Sequence, residues 1–359
     1  MREQKRLSLD WALLTGLLLL SVVSLFVLYS AGDQNSDLLF RQSIRITLAF
    51  IVMFAVARIT PEQLLRWTPY LYAIGLIMLL IVLAAGVIGK GAQRWIDLGF
   101  IRFQPAEMMK LAVPMMVAWV MVKKPLPASL PTVILGTIVV IIPTALVIKQ
   151  PDLGTAILIA GSGLVVIFFA GMSWRIIAIL SALLAAAAPL GWYLIHDYQR
   201  QRILTLFDPW SDPLGAGYHT IQSAIAVGSG GLYGKGWLNG SQSQLDFIPE
   251  RSTDFIFAVF SEEFGFIGSL LLLLAYLFVF GRSLYIAIEA KDSFTRLLCG
   301  SLAVTFAIYV FVNIGMVTGI LPIVGVPLPL ISYGGTSMVS MMAGFGILMS
   351  AYSNRWFMH

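Results

Sequence analysis

Apolar runs near the ~20 residues needed to cross a bilayer's hydrocarbon core recur along the chain. They fall at 11–30, 43–58, 69–88, 106–122, 131–148, 155–171, 176–195, 254–281, 297–318 and 333–352. Most connections between them are short, but two are longer: a polar stretch at 89–105, and the segment from His196 to Thr253. The pattern predicts an all-α integral membrane protein of about ten transmembrane helices. Residues 1–359 form a single polytopic membrane domain, because no hydrophilic block is large enough to fold by itself. The basic start MREQKRLSLD leads into an apolar run, as in a signal peptide. However, Trp11 to Ser30 is long enough to span and no A-x-A-like site follows, so it reads as a retained first helix.

The 196–253 segment lies between the seventh and eighth expected spans and carries Trp210, Tyr218, Tyr233, Trp237 and Phe247, which argue for an ordered loop. Within it, AGYHTIQSAIAV places Tyr218, Ile221, Ala224 and Ile225 at helical spacing. That spacing predicts an amphipathic helix lying on the membrane surface. The glycine cluster GSGGLYGKG at 228–236 predicts a tight turn or close backbone approach. It is not a phosphate-binding loop, since Ser229 occupies the first glycine position and Gly236 the Ser/Thr position. Near the C-terminus, Pro322, Pro327 and Pro329 exclude a regular helix from TGILPIVGVPLPLISYGGTS. This stretch reads as an extended re-entrant loop, with Ser332, Tyr333, Thr336 and Ser337 as its polar groups, suited to a plug or a binding wall.

Composition supports lipid as the main environment. Charged residues make up 11% of the chain, against roughly 25% in soluble domains. The net charge of +5 is scattered among membrane loops, which points to anionic lipid headgroups and not to nucleic acid. The lone Cys299 excludes an intrachain disulfide framework. The 23 Lys and Arg divide almost evenly between the two sides. Three of them precede the first span, which places the N-terminus in the cytoplasm and the 196–253 loop outside. Basic residues are normally sparse on the outer side, so their number there suggests an anion to be met.

Ionisable side chains inside spans are expensive and usually face a partner or a wet cavity. Glu107 and Lys110, three apart, share one helical face at the start of the fourth span. Asp152 sits in KQPDLG, where Pro151 and Gly154 bend the chain between two spans. These three either form an ion-pair network that holds helices together or contact a substrate. Arg94 and Arg102, in GAQRWIDLGFIRF, are either interfacial snorkelling residues or phosphate ligands, guanidinium being suited to bidentate pairing. In FIPERSTDFIFAVFSEE, Ser252 or Thr253 can cap the eighth span and Asp254 suits its first turn. The same Asp254 stands where the outer loop meets the bundle, as a general base requires. Glu262 and Glu263 fall about 80° and 180° around the helix from it, so they read as packing residues.

These stretches together resemble the SEDS family (shape, elongation, division and sporulation proteins). LPIVGVPLPLISYGGTS is similar to that family's signature. RWIDLGFIRFQPAE with Lys110, QPDLGTA, DPLGAGYHTIQSAIAVGSGGLYGKG and FIPERSTDFIFAVFSEE occur in the family's order along the whole chain. The pattern GKGWLNGSQSQLDFIPERSTDFIF is closer to the elongation branch than to the division branch. Ala106 departs from the serine common in the family, and Ser252 from a frequent histidine.

The resemblance implies a peptidoglycan glycosyltransferase of the bacterial cytoplasmic membrane, polymerising lipid II on the outer face during elongation, with undecaprenyl pyrophosphate leaving. It implies a class B penicillin-binding protein as transpeptidase partner, alongside other elongation-complex membrane proteins. The family's essential aspartate matches Asp254. Arg94, Lys110, Arg102 and Arg202 would offset pyrophosphate charge, with Glu107, Asp152 and Ser332 as further substrate-binding positions. A divalent cation, Mg²⁺ or Mn²⁺, would suit the pyrophosphate. Yet His196, His219 and His359 are dispersed and no D-x-D occurs. The competing readings are a flippase for the lipid-linked precursor, for which broken segments and intramembrane charges are also fitting, and a non-catalytic scaffold.

Overall fold

The computed structural model describes residues 8–89, 92–97, 102–172, 197–215, 217–245, 247–248 and 250–355, together with positions 174, 178, 182 and 186. The N-terminal half contains α1 (Trp11–Ala31), α2 (Ser36–Ala57), α3 (Pro61–Ala85), α4 (Pro105–Val122), α5 (Leu130–Ile148) and α6 (Leu153–Phe169). The 196–253 loop contributes α7 (Asp197–Phe207), α8 (Tyr218–Ser229) and the single turn α9 (Ser241–Gln244). Three further helices complete the chain: α10 (Ile256–Glu289), α11 (Ser293–Val317) and α12 (Thr336–Asn354). Among the described residues, seven helices are long and apolar enough to cross a membrane: α1 to α5, α10 and α11. Helices α6 and α12 lie where spans are expected at 155–171 and 333–352, and of the run expected at 176–195 the described residues include positions 178, 182 and 186 alone.

Helix starts follow local chemistry. Asp10 caps α1 by accepting from the Leu13 N–H at 2.8 Å. Asn35 caps α2, and Thr60 with Gln63 forms a capping box ahead of Pro61 on α3. These caps start α2 and α3 at Ser36 and Pro61, seven to eight residues before their apolar runs at 43 and 69. α4 sits centrally, packed on α3, α5, α6, α11 and α12, whereas α2 packs on α12 and turns Phe40, Ile44, Leu48 and Ile51 outward. The polar stretch after α3 is not a simple loop. β1 (Val87–Gly89), β2 (Ala92–Asp97) and β3 (Arg102–Phe103) form a small antiparallel sheet, ordered β1-β2-β3, at the entrance to α4. The chain is therefore mostly helical, with this one addition to the all-α expectation.

α10 is broken. Gly265 has φ 66° and ψ −163°, a backbone that only glycine adopts without strain. The break frees backbone groups that lipid could not satisfy, and the glycine cluster satisfies them. Lys235 and Gly236 donate N–H bonds to the Glu262 and Glu263 carbonyls, both at 3.0 Å. Phe266 and Ile267 donate to the carbonyls of Gly231 and Leu232 at 2.9 and 3.1 Å. Such contact leaves no room for side chains: a Cβ on Gly234 would fall 2.0 Å from the Glu263 oxygen. The buried Glu262 carboxylate completes the join, accepting from Lys235 Nζ at 2.7 Å and from the Gln242 N–H at 2.9 Å. The close approach expected of residues 228–236 is thus a backbone splice across a broken helix.

α8 is the helix expected in the loop, but its position differs. It buries Thr220, Ile221, Ser223 and Ala226 and packs on α10 and α11, leaving Ala224 and Ile225 exposed. The expected apolar face is thus divided, with Ile221 buried against the bundle and Ala224 and Ile225 on the outside of the helix.

Candidate functional site

The site is built around residues 318–335, which join α11 to α12 without regular structure. Three consecutive residues of this loop touch three different elements. Gly154, near the start of α6, has room for no side chain, since a Cβ there would lie 2.7 Å from the Val324 carbonyl oxygen. Gly325, with φ +72°, faces Asp254, whose Oδ2 would lie 3.5 Å from a Cβ at that position. Val326 accepts through its carbonyl from Asn313 Nδ2 of α11 at 2.7 Å.

Asp254 does not lie in a first helical turn. Residues 250–255 form turns, α10 begins at Ile256, and Phe255 occupies the cap position with no side-chain cap bond. Ser252 and Thr253 therefore do not cap the helix. Their carbonyls, with that of Asp254, are instead taken up from outside: Ser252 accepts from the Tyr333 N–H at 2.8 Å, Thr253 from Ser332 Oγ at 2.6 Å, and Asp254 from Asn313 Nδ2 at 2.8 Å. Arg251 reaches back to Asp33 at the end of α1 and to the Ser243 carbonyl. Asp254 itself is half-buried where the 196–253 loop meets the bundle.

Ser332 also accepts from the Leu328 N–H at 2.7 Å, so its hydroxyl is engaged on both sides in holding this turn. Arg202, on α7, donates to the Ile323 carbonyl at 2.9 Å and thereby borders the same loop. On α8, His219 stacks on Phe255, with ring centroids 5.6 Å apart. Burial there holds the imidazole below its ordinary pKa; Arg202 acts in the same direction and Glu250 opposes it.

The remaining charges form two compact groups. Lys110 pairs with Glu107 at 2.6 Å, and Glu107 also accepts from Ser340 Oγ of α12 at 2.8 Å. The Lys110 ammonium lies 5.0 Å from the centre of the Tyr309 ring. Helical spacing indicated this pair; nothing in it indicated Ser340 or Tyr309, which come from helices 233 residues from Glu107 and 199 from Lys110 in sequence. An apolar pocket lined by Leu111, Leu302, Phe306 and Met341 opens beside Lys110.

In the second group, Asp152 caps α6 by accepting from the Thr155 N–H at 3.2 Å, and it also accepts from Gln104 Nε2 at 2.9 Å. Arg94, on β2, lies 3.8 Å from Asp152 and donates to the carbonyls of Gln150 and Pro151. The hairpin thus docks Arg94 on the α5–α6 connection, and Asp152 sits at a helix start between two spans. Arg102 enters β3 through its backbone, opposite Asp97. Gly154 and Val324 bring the Asp152 group against the proline-rich loop, which carries Asp254 on its other contact.

A mostly helical bundle with apolar helices long enough to span a membrane, a broken helix and paired buried charges defines a polytopic membrane protein with a candidate site beside the proline-rich loop. The chain belongs to the family of cell cycle proteins FTSW_RODA_SPOVE, which it matches over residues 5–355. It is 52% identical over 351 residues to the peptidoglycan glycosyltransferase MrdB of Escherichia coli K12, covering 98% of this chain and 95% of that protein. Its fold is similar to a chain of a solved peptidoglycan synthase complex that coordinates polymerization and crosslinking, with TM-score 0.86, 31% identity and coverage of 98% and 100%. The crystal structure of the Thermus thermophilus rod shape determining protein RodA is similar too, with TM-score 0.75, 28% identity and coverage of 98% and 99%.

Proposed function

We propose that the protein is a peptidoglycan glycosyltransferase that polymerises lipid II on the outer face of the cytoplasmic membrane during cell elongation, with Asp254 as general base. The observation that carries this reading is the position of Asp254: a half-buried carboxylate facing Gly325 of the proline-rich loop, where the outer loop joins the bundle. A base needs that combination of access and fixed geometry. The Asp254 carboxylate takes the proton from the acceptor sugar hydroxyl as its oxygen bonds to the donor's anomeric carbon. The bond from that carbon to pyrophosphate breaks, and undecaprenyl pyrophosphate leaves with the electron pair.

Arg94, Lys110, Arg102 and Arg202 offset the charge of the pyrophosphate. Glu107 and Asp152 hold Lys110 and Arg94 in place for that task, through the 2.6 Å and 3.8 Å pairs. Ser332 holds the turn that carries the base, its hydroxyl donating to the Thr253 carbonyl and accepting from the Leu328 N–H. Among the described residues no three His, Cys, Asp or Glu side chains converge. Mg²⁺ or Mn²⁺ would enter as the pyrophosphate's counter-ion. Ten spans, cytoplasmic termini and a class B penicillin-binding protein as transpeptidase partner complete the reading, which the 52% identity to MrdB supports.

The test is reconstitution. Purified protein, with and without the partner, converts lipid II to glycan chains, and Asp254→Ala loses this by at least the 10²–10⁴-fold that general base catalysis contributes. A folded Asp254→Ala protein that polymerises at the normal rate removes the assignment. Vesicles that translocate lipid II and never polymerise it identify a flippase instead.

A further inference from the structure

The turn that carries Asp254 is tied internally to Glu250, whose carbonyl accepts from the Thr253 and Phe255 N–H groups at 3.0 and 3.4 Å and whose carboxylate accepts from Thr253 Oγ1 at 2.9 Å. The helix that follows has no side-chain cap. Yet the three successive carbonyls of Ser252, Thr253 and Asp254 are each held, by Tyr333 N–H, Ser332 Oγ and Asn313 Nδ2 respectively. Because a peptide plane fixes its neighbours, holding three in a row fixes the direction in which the Asp254 side chain leaves the backbone.

Asn313 has a special place among these clamps. It is fully buried within the apolar face of α11. Both N–H bonds of its amide are used on carbonyls, one on Asp254 at 2.8 Å and one on Val326 at 2.7 Å. Only a group with two donors on one planar nitrogen can bridge two acceptors in this way. Val326 adjoins Gly325, the residue the Asp254 carboxylate faces, so the amide sets the spacing between the carboxylate and the wall opposite it. A buried polar side chain in a membrane helix is costly to retain. Leucine would fill the same space without that cost, which argues for the bridge as the reason for asparagine.

The geometry points to Asn313 and Ser332 as positioning residues: they orient Asp254 and hold it in register with the proline-rich loop, without themselves touching the substrate. This rests on Asp254 acting as the base. A displacement of about 1 Å can cost ~10²-fold in rate, so loss of either clamp appears in turnover and not in substrate affinity.

The experiment measures lipid II polymerisation by the full-length protein in detergent with its partner. Asn313→Ala and Ser332→Ala each lower kcat by about 10- to 100-fold, with KM for lipid II changed less than about twofold. Ser332→Thr, which keeps the hydroxyl, retains most of the wild-type kcat. In an Asp254→Ala background neither substitution lowers the residual rate further, because residues that act as a unit are non-additive. Ser301→Ala is the stability control: it removes a buried 2.6 Å bond to the Ser162 carbonyl elsewhere on α11, lowers thermal stability and leaves kcat unchanged.

If Asp254→Ala is inactive while Asn313→Ala and Ser332→Ala turn over at the wild-type rate, the positioning inference fails and the catalytic reading stands. A fully active Asp254→Ala removes both. A fall in kcat for Ser301→Ala as large as for Asn313→Ala reduces the effect to general destabilisation, and the inference is overturned.

Discussion

The imidazole of His219 stacks flat on Phe255, next to the proposed base, and burial keeps its pKa below the ordinary value. In the unfolded chain the same histidine titrates near about 6.5. As pH falls through that value the unfolded state takes up the proton first, so the folded state loses stability below it. Wild-type protein in detergent is expected to show a falling melting temperature as pH drops from about 7 toward 5. His219→Phe, which keeps the stack and cannot titrate, flattens that part of the profile. Unchanged pH dependence in the variant would assign the effect to other groups. Gly325 offers a second test at this scale. At φ +72° an L side chain costs about 1–2 kcal/mol. Gly325→Ala therefore loosens the loop opposite Asp254 and lowers polymerisation, while leaving the distant Glu107–Lys110 pair intact.

At the level of elements, the break in α10 and the glycine cluster form one unit. Four backbone bonds cross between residues 231–236 and 262–267, and Glu262 pins the same loop by its side chain. Gly265→Ala puts a Cβ 2.3 Å from the Gly234 nitrogen at φ +66°, so the splice must open. The expected result is protease cutting within 231–245 at concentrations that leave wild type intact, with a lower melting temperature. The glycine cluster announced close approach by composition alone. It could not announce its partner, because the break at Gly265 leaves no mark in the apolar pattern of a 34-residue helix. The sheet at 87–103 was hidden for a related reason: strand pairing is decided across the turn, and short polar segments with glycine read as loop.

Across the whole molecule, long-range ion pairs join the first and last thirds of the chain. Asp10, buried at the start of α1, accepts from Arg282 of α10 at 2.6 Å, and the guanidinium also lies 4.5 Å from the Tyr285 ring centre. Removing one partner of a buried pair costs about 3–5 kcal/mol, and partial exposure of Arg282 places it toward the lower end. Arg282→Met is expected to lower the melting temperature more than Asp10→Asn, which keeps the cap on α1. Melting temperatures unchanged in both variants would mean that the cap, which both keep, and not the pair, carries the stability.

Much of the protein was determined by its sequence alone. Apolar runs of membrane length dictate helices because the backbone has no other way to satisfy itself in lipid. Prolines forbid a helix at 322–329, and five stretches in order resemble one family from end to end. Tertiary structure alone decided what each polar group does. Asp254 moved out of its helix into a held turn, Ser332 became a clamp on that turn, and Asn313, absent from any motif, turned out to bridge the carbonyls of Asp254 and Val326. These outcomes depend on contacts between residues 59 and 79 positions apart, and a local pattern carries no information about which distant carbonyl a buried donor will find.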